Sequence, residues 1–270
     1  MKLSINLRVV LTALLTLGLT SSLFAQEEGW GHLTGSIVVE GDLPEPDVLD
    51  VDHDEGTCAA DGAIRDRSLI VGEEGQLQGA FVMMYLKSGE PVPEVHESYL
   101  ATAEDKVVLD NNKCMFVPNT LFLRTSQTLV MKNSDPVGHN CHITLFDEEN
   151  EHNVLIPGNT EVEVRCPNPE KSPGPVKCDI HKWMKATILV RDEPYVAVTD
   201  ADGNFTIENL PAGKWTFQFW HSRSGFMRSL ASESIEDFKL GRRGEAEFTI
   251  ESGKTLDLGK LVISAEKLDD

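Results

Sequence analysis

The chain has 270 residues, a formal net charge of −20, eight histidines and five cysteines. So acidic a protein repels nucleic acid and anionic membrane surfaces, which argues against both as partners and leaves a basic redox partner compatible. Net charge bears on solubility and association and leaves the fold open.

Residues 1–25 read as a secretory signal peptide. Lys2 and Arg8 make the basic start, 9–19 the short apolar run, and Ala25 the last residue before cleavage. The run is too short for a permanent membrane span, and no later segment is apolar enough for one. Losing Lys2 and Arg8 would leave 22 basic against 44 acidic residues, a net of −22. The expected location is the periplasm or the exterior of the cell envelope, where thiols oxidise.

A region over 26–104 starts with a strand at 32–41. An acidic loop follows to about residue 63, then strands at 67–71 and 78–86 and a loop over 91–103. Beyond it, short apolar runs are broken by Gly, Pro, Asn and Asp at the roughly 8–12-residue spacing of antiparallel sandwiches. No long segment carries the helical period, so helices should be few and short. Strands are expected at 106–109, 120–124, 128–133, 140–146, 161–165 and 186–191, with the proline-rich 166–175 as a loop. A third unit, 193–270, has an Asp-Gly hairpin turn at 199–207, a second turn at 210–213, and strands at 214–220, 246–250 and 259–263.

The expected class is all-β, with one sandwich over 105–192 and another over 193–270. The strands before 105 either form their own sheet or complete the last sandwich. In the second case the central unit is an insertion.

The chemistry concentrates at Cys178, His181 and Met184, spaced C-x2-H-x2-M between two strands, with His139 upstream. Two imidazoles, a thiolate and a weak axial thioether form the ligand set of a mononuclear blue-copper electron-transfer site. Soft sulfur favours Cu(I), imidazole serves both oxidation states, and a long thioether bond tunes the potential. Zinc also accepts Cys and His, but it rarely recruits Met.

An odd cysteine count in a secreted chain leaves one thiol over. With Cys178 committed to a metal, Cys58 with Cys114 and Cys141 with Cys166 is the preferred pairing, and other pairings stay open. Alternation along the strand turns His142 away from Cys141 and toward the surface. His53, His96, His152 and His221 have no partners at ligand spacing. Asp200, Asp202 and Asn204 suit an Asp-Gly turn better than calcium, since no Glu stands at the EF-hand distance. Trp183 reads as packing.

The 178–184 loop, together with His139-Asn140 and Phe146-Asp147, resembles the cupredoxin family, which includes plastocyanin and amicyanin, over about 106–191. The resemblance implies a Greek-key sandwich holding one type 1 copper through His139, Cys178, His181 and Met184. It also implies that Asn140 braces the ligand loop, with its backbone amide on the sulfur. The whole chain resembles secreted bacterial proteins described as methylamine-utilisation-like. These join a cupredoxin to a carboxypeptidase-regulatory-like, or transthyretin-like, β-sandwich. The segments 176–181, 183–186, 197–200 and 210–213 carry that likeness. Lys182 stands where that loop commonly has Pro, and Asn119 where related chains often have His. Cys141 and Cys166 are additions to the pattern.

The function so implied is a one-electron carrier with an exposed ligand edge near His181, serving a redox partner such as a cytochrome c or a dehydrogenase. The competing reading is copper storage or a structural envelope module. A copper enzyme would add further histidine pairs, and a dinuclear centre a second loop cysteine. The chain has no His-x-His, and 179–183 contains no cysteine, so a non-enzyme is expected.

Overall fold

The computed structural model describes residues 29–268 apart from 44 and 88. The signal peptide expected over 1–25 lies outside the described residues. The chain opens with β1 (Trp30–Glu40), a small hairpin of β2 (Ile70–Val71) and β3 (Leu77–Gln78), and β4 (Phe81–Met84). Nine strands follow: β5 (Lys106–Asn112), β6 (Met115–Val117), β7 (Thr120–Arg124), β8 (Thr128–Asn133), β9 (His139–Ile143), β10 (His152–Ile156), β11 (Thr160–Val164), β12 (Gly174–Lys177) and β13 (Lys185–Arg191). The chain closes with β14 (Val196–Val198), β15 (Asn204–Pro211), β16 (Gly213–His221), β17 (Gly225–Phe226), β18 (Ala231–Ser232), β19 (Glu245–Ile250) and β20 (Thr255–Ser264).

Two sandwiches result. In the outer one, β15-β1-β20-β18 faces β14-β4-β16-β17, with β19 added on β16. In the inner one, β10-β9-β12-β13-β7 faces β11-β8-β5-β6. The first strands of the chain thus share sheets with the last ones. β1 runs antiparallel to β15 and parallel to β20, and β4 runs antiparallel to β14 and β16. The inner sandwich is inserted between β4 and β14.

Burial explains this closure. β1 turns Leu33, Ile37 and Val39 inward, β4 adds Val82 and Met84, and they meet Phe205, Phe217, Phe219 and Leu261 in one apolar core. Alone, a strand with one apolar face would leave that face wet; each buried Leu, Ile or Phe gains roughly 1.5–3 kcal/mol in the core. A third cluster joins the sandwiches: Phe81, Met83 and Leu189, flanked by Phe122, Val196 and Trp220. Arg191 crosses the same seam, donating from Nη2 to the Met84 carbonyl at 3.0 Å while paired with Glu193 at 2.6 Å.

The turn at 200–204 is built by Asp200, whose Oδ1 accepts from the amides of Asp202 (3.0 Å) and Asn204 (2.8 Å). Gly203 adopts φ 73°, and a Cβ there would lie 2.6 Å from the Ile37 carbonyl oxygen.

Two sequence readings change. Residues 166–175 are not all loop, because Gly174 and Pro175 start β12. Proline lacks only the donor; the Pro175 carbonyl still accepts from the Thr144 amide at 3.1 Å. β10 was not expected at all. It is an edge strand whose polar His152 and Asn153 break the apolar pattern.

Candidate metal centre

β9 delivers His139 to one end of the inner sandwich, and the loop between β12 and β13 delivers Cys178, His181 and Met184. His139 and His181 are fully buried and Cys178 nearly so. One ligand atom from each of His139, Cys178 and His181 lies within 4.8 Å of the other two. Cys178 Sγ is 4.0 Å from His139 Nδ1 and 3.7 Å from His181 Nδ1. Both rings therefore turn the same nitrogen toward the sulfur. Met184 is fully buried, and its backbone closes the loop: its amide donates to the His181 carbonyl (2.9 Å) and its carbonyl accepts from the Cys178 amide (3.3 Å).

Asn140 holds the loop to β9. Its Oδ1 accepts from the Asp179 amide at 2.7 Å and lies 3.4 Å from Cys178 Sγ. Its Nδ2 donates to Asn153 Oδ1 and Asp179 Oδ2, at 2.8 and 3.0 Å. The backbone amide that reaches the sulfur belongs to His181, at 3.3 Å. Trp183 packs edge-on against the His181 ring, centroids 5.1 Å apart, and donates from Nε1 to the Cys114 carbonyl at 3.0 Å.

The outer nitrogens of both rings meet carboxylates, which the sequence did not reveal. His139 Nε2 lies 2.9 Å from Asp135 Oδ2, and His181 Nε2 lies 3.0 Å from Asp54 Oδ2. Asp135 is fixed in turn: its two oxygens accept from the amides of Lys113 (2.6 Å) and Cys114 (2.8 Å). Burial lowers the His139 pKa, and the hydrogen bond with Asp135 opposes that shift. Asp135 was legible in principle, being four residues before His139 in the turn leading to β9. Asp54 was not, because 127 residues separate it from His181.

Asp54 rides on a segment laid over the inner sandwich. Leu49, Val51 and Ile64 pack against that core, and a short helix α1 (Glu55–Cys58) ends at the Cys58–Cys114 disulfide. This cover overturns the expectation of an exposed edge at His181, since that ring has no accessible surface.

The expected Cys141–Cys166 bond is also corrected, because both are buried free thiols. β9, which carries Cys141, and β11, which precedes Cys166, lie in opposing sheets. The Cys141 sulfur lies 3.7 Å from Asn111 Nδ2, while Cys166 sits near Glu170. Burial pushes their pKa values up to about 12 and about 11, so both are held as unreactive thiols.

His142 is half-exposed and pairs with Asp179 at 3.0 Å. That contact and its bonds to Asn140 and Asn153 lower the Asp179 pKa. Asn119 is engaged elsewhere, donating to the Arg67 carbonyl at 3.0 Å. Cys114, Asp135 and His139 form a second close group, but its sulfur is committed to the disulfide. A cleft of about 560 Å³ opens between the sandwiches, lined by Tyr85, Phe146, Arg191 and Gln218 among others and by none of the clustered residues.

No protein-family model matches the chain, and no curated protein matches it. Solved structures do. A Cu-containing nitrite reductase from Thermus scotoductus SA-01 aligns at 14% identity over 40% of this chain, with a TM-score of 0.29; the alignment spans 25% of that enzyme's length. A Cu(I) form of an amicyanin mutant aligns at 15% identity over 32% of this chain and 82% of its own, with a TM-score of 0.28. A purple cupredoxin from Nitrosopumilus maritimus aligns at 16% identity over 32% of this chain and 99% of its own, with a TM-score of 0.26.

Proposed function

We propose that this chain is a secreted type 1 copper protein that carries single electrons, with His139, Cys178, His181 and Met184 as ligands. The observation that carries the reading is the convergence of Cys178 Sγ with the Nδ1 atoms of His139 and His181 in a buried pocket. The donor set fits the metal: one soft sulfur and two imidazoles suit both Cu(I) and Cu(II), and a buried thioether stands on the same loop. Copper held there supplies a one-electron couple.

The chain's own residues do the rest. Asn140 and the His181 amide fix the sulfur from two sides, so its geometry is set without the metal's help. Trp183 and the segment carrying Asp54 exclude water from the His181 face. A rigid, dry site suits a couple whose two states must share one geometry.

No catalytic step belongs to this reading. The eight histidines include no His-x-His pair for a second copper centre, and a protein redox partner such as a cytochrome c or a dehydrogenase would take the electron.

Copper retention is the second reading, and the burial of His181 favours it. The two separate in a stopped-flow experiment on the copper-loaded full chain. A carrier exchanges electrons rapidly and reversibly with a c-type cytochrome and keeps its copper against a Cu(I) chelator during turnover. Slow exchange with tight Cu(I) retention selects storage.

A further inference from the structure

We propose that Asp54 is a positioning residue for His181, brought to the ring by a cover that the Cys58–Cys114 disulfide staples in place. The inference rests on the copper reading for its redox consequence and on geometry alone for its structural one. An imidazole that gives its Nε2–H to a carboxylate has its tautomer and plane fixed, and Nδ1 becomes the more electron-rich donor. Both buried rings show this arrangement, at 2.9 Å for His139 with Asp135 and 3.0 Å for His181 with Asp54. In both, Nδ1 is the nitrogen turned toward Cys178.

The two carboxylates reach their rings by different means. Asp135 comes from the turn four residues before His139, and two backbone amides anchor it. Asp54 comes from far away in sequence, so something must hold it. Its carbonyl accepts from the amides of Thr57 (2.8 Å) and Cys58 (2.9 Å), which ties it through one helical turn to the disulfide. Cys114, the other half of the disulfide, donates its amide to Asp135 and accepts from Trp183 through its carbonyl. One covalent link thus joins the anchors of both carboxylates. Asp54 also adopts a left-handed backbone, φ 48° and ψ 35°, a conformation that Asp tolerates better than most residues. Such a conformation persists only where surrounding structure holds it, and it tends to accompany functional positions.

Two variants remove the carboxylate without forcing the backbone, since Asn and Gly both accept the left-handed region: Asp54→Asn and Asp54→Gly. Asp52→Asn is the control, an exposed acid of the same cover. The first measurement needs no metal. Long-range nitrogen–proton NMR on the metal-free full chain should show His181 as the Nε2–H tautomer, and Asp54→Gly should give a mixture. An Nδ1–H tautomer with Asp54 intact would overturn the proposal.

The second is spectroelectrochemistry on the Cu(II)-loaded chain. Removing a negative charge beside the ring disfavours Cu(II), so Asp54→Asn should lower the Cu(II):Cu(I) affinity ratio about tenfold. For one electron that raises the potential by about 59 mV. Equal effects from Asp54→Asn and Asp52→Asn would mean charge acting at a distance, and would also overturn it. If the wild-type chain takes up no copper, the copper reading fails while the tautomer measurement still decides the role of Asp54.

Discussion

The two sandwiches share an architecture and differ in what they bury. The outer core is apolar almost throughout, built on Leu33, Ile37, Phe205, Phe217, Phe219 and Leu261. The inner one buries Asn111, Asn133, Asp135, His139, Asn140 and His181, most of them at one end. A buried polar group costs free energy unless its partners are supplied, so such a core needs a connected network, which here leaves Asn111 Oδ1 without a partner. Asn133 shows the network: its Nδ2 donates to the carbonyls of Val137 and Ile156, and its Oδ1 accepts from the Asp135 amide. The outer sandwich provides an apolar body; the inner one holds a buried polar cluster in place.

This contrast can be broken by core substitutions. Phe219→Ala in the outer core should cost about 3–5 kcal/mol of stability, read by denaturant unfolding, because a large apolar side chain leaves a cavity. The visible spectrum of the copper-loaded protein should not move. A spectral change there would show that the two bodies are not separable.

The outer sandwich also buries an imidazole, His221, which accepts from the Arg223 amide at 3.3 Å. Burial brings its pKa from 6.5 down to about 4. The unfolded chain takes up a proton near 6.5 and the folded chain only near 4. Stability from this residue is therefore complete above 6.5 and is lost as the pH falls through that window, by about 3 kcal/mol in all. His221→Gln should flatten the acid side of a plot of stability against pH. An unchanged slope contradicts the assignment.

Asn133→Ala sharpens the comparison from the inner side. It should cost about 2 kcal/mol by stranding buried partners. Unlike Phe219→Ala, it should also disturb the copper spectrum, because the Asp135 amide loses its acceptor. At the small end, Lys182→Ala should shift stability by no more than about 0.5 kcal/mol, since Lys182 is exposed on the loop.

Cys178, His181 and Met184 were legible as a group because they fall within one short loop whose spacing is itself chemical. The all-β class was legible from regular punctuation, and the turn at Asp200 from its Asp-Gly pair. The contacts that close the molecule were not. β1 reads as a strand, but nothing local says that it pairs with β15 and β20 at the far end of the chain. Likewise the acidic segment before Cys58 reads as a solvated loop, and only tertiary packing turns Asp54 onto His181. The two extra cysteines misled for the same reason: parity suggested a bond, while both stay buried as free thiols.

The most direct test of the central claim is the visible absorption spectrum of the full chain loaded with Cu(II), recorded beside Cys178→Ser and Cys141→Ser. The account predicts an intense thiolate-to-copper band in the wild type, unchanged in Cys141→Ser and absent in Cys178→Ser. A colourless wild type that binds only zinc, or a band that survives in Cys178→Ser, would contradict it.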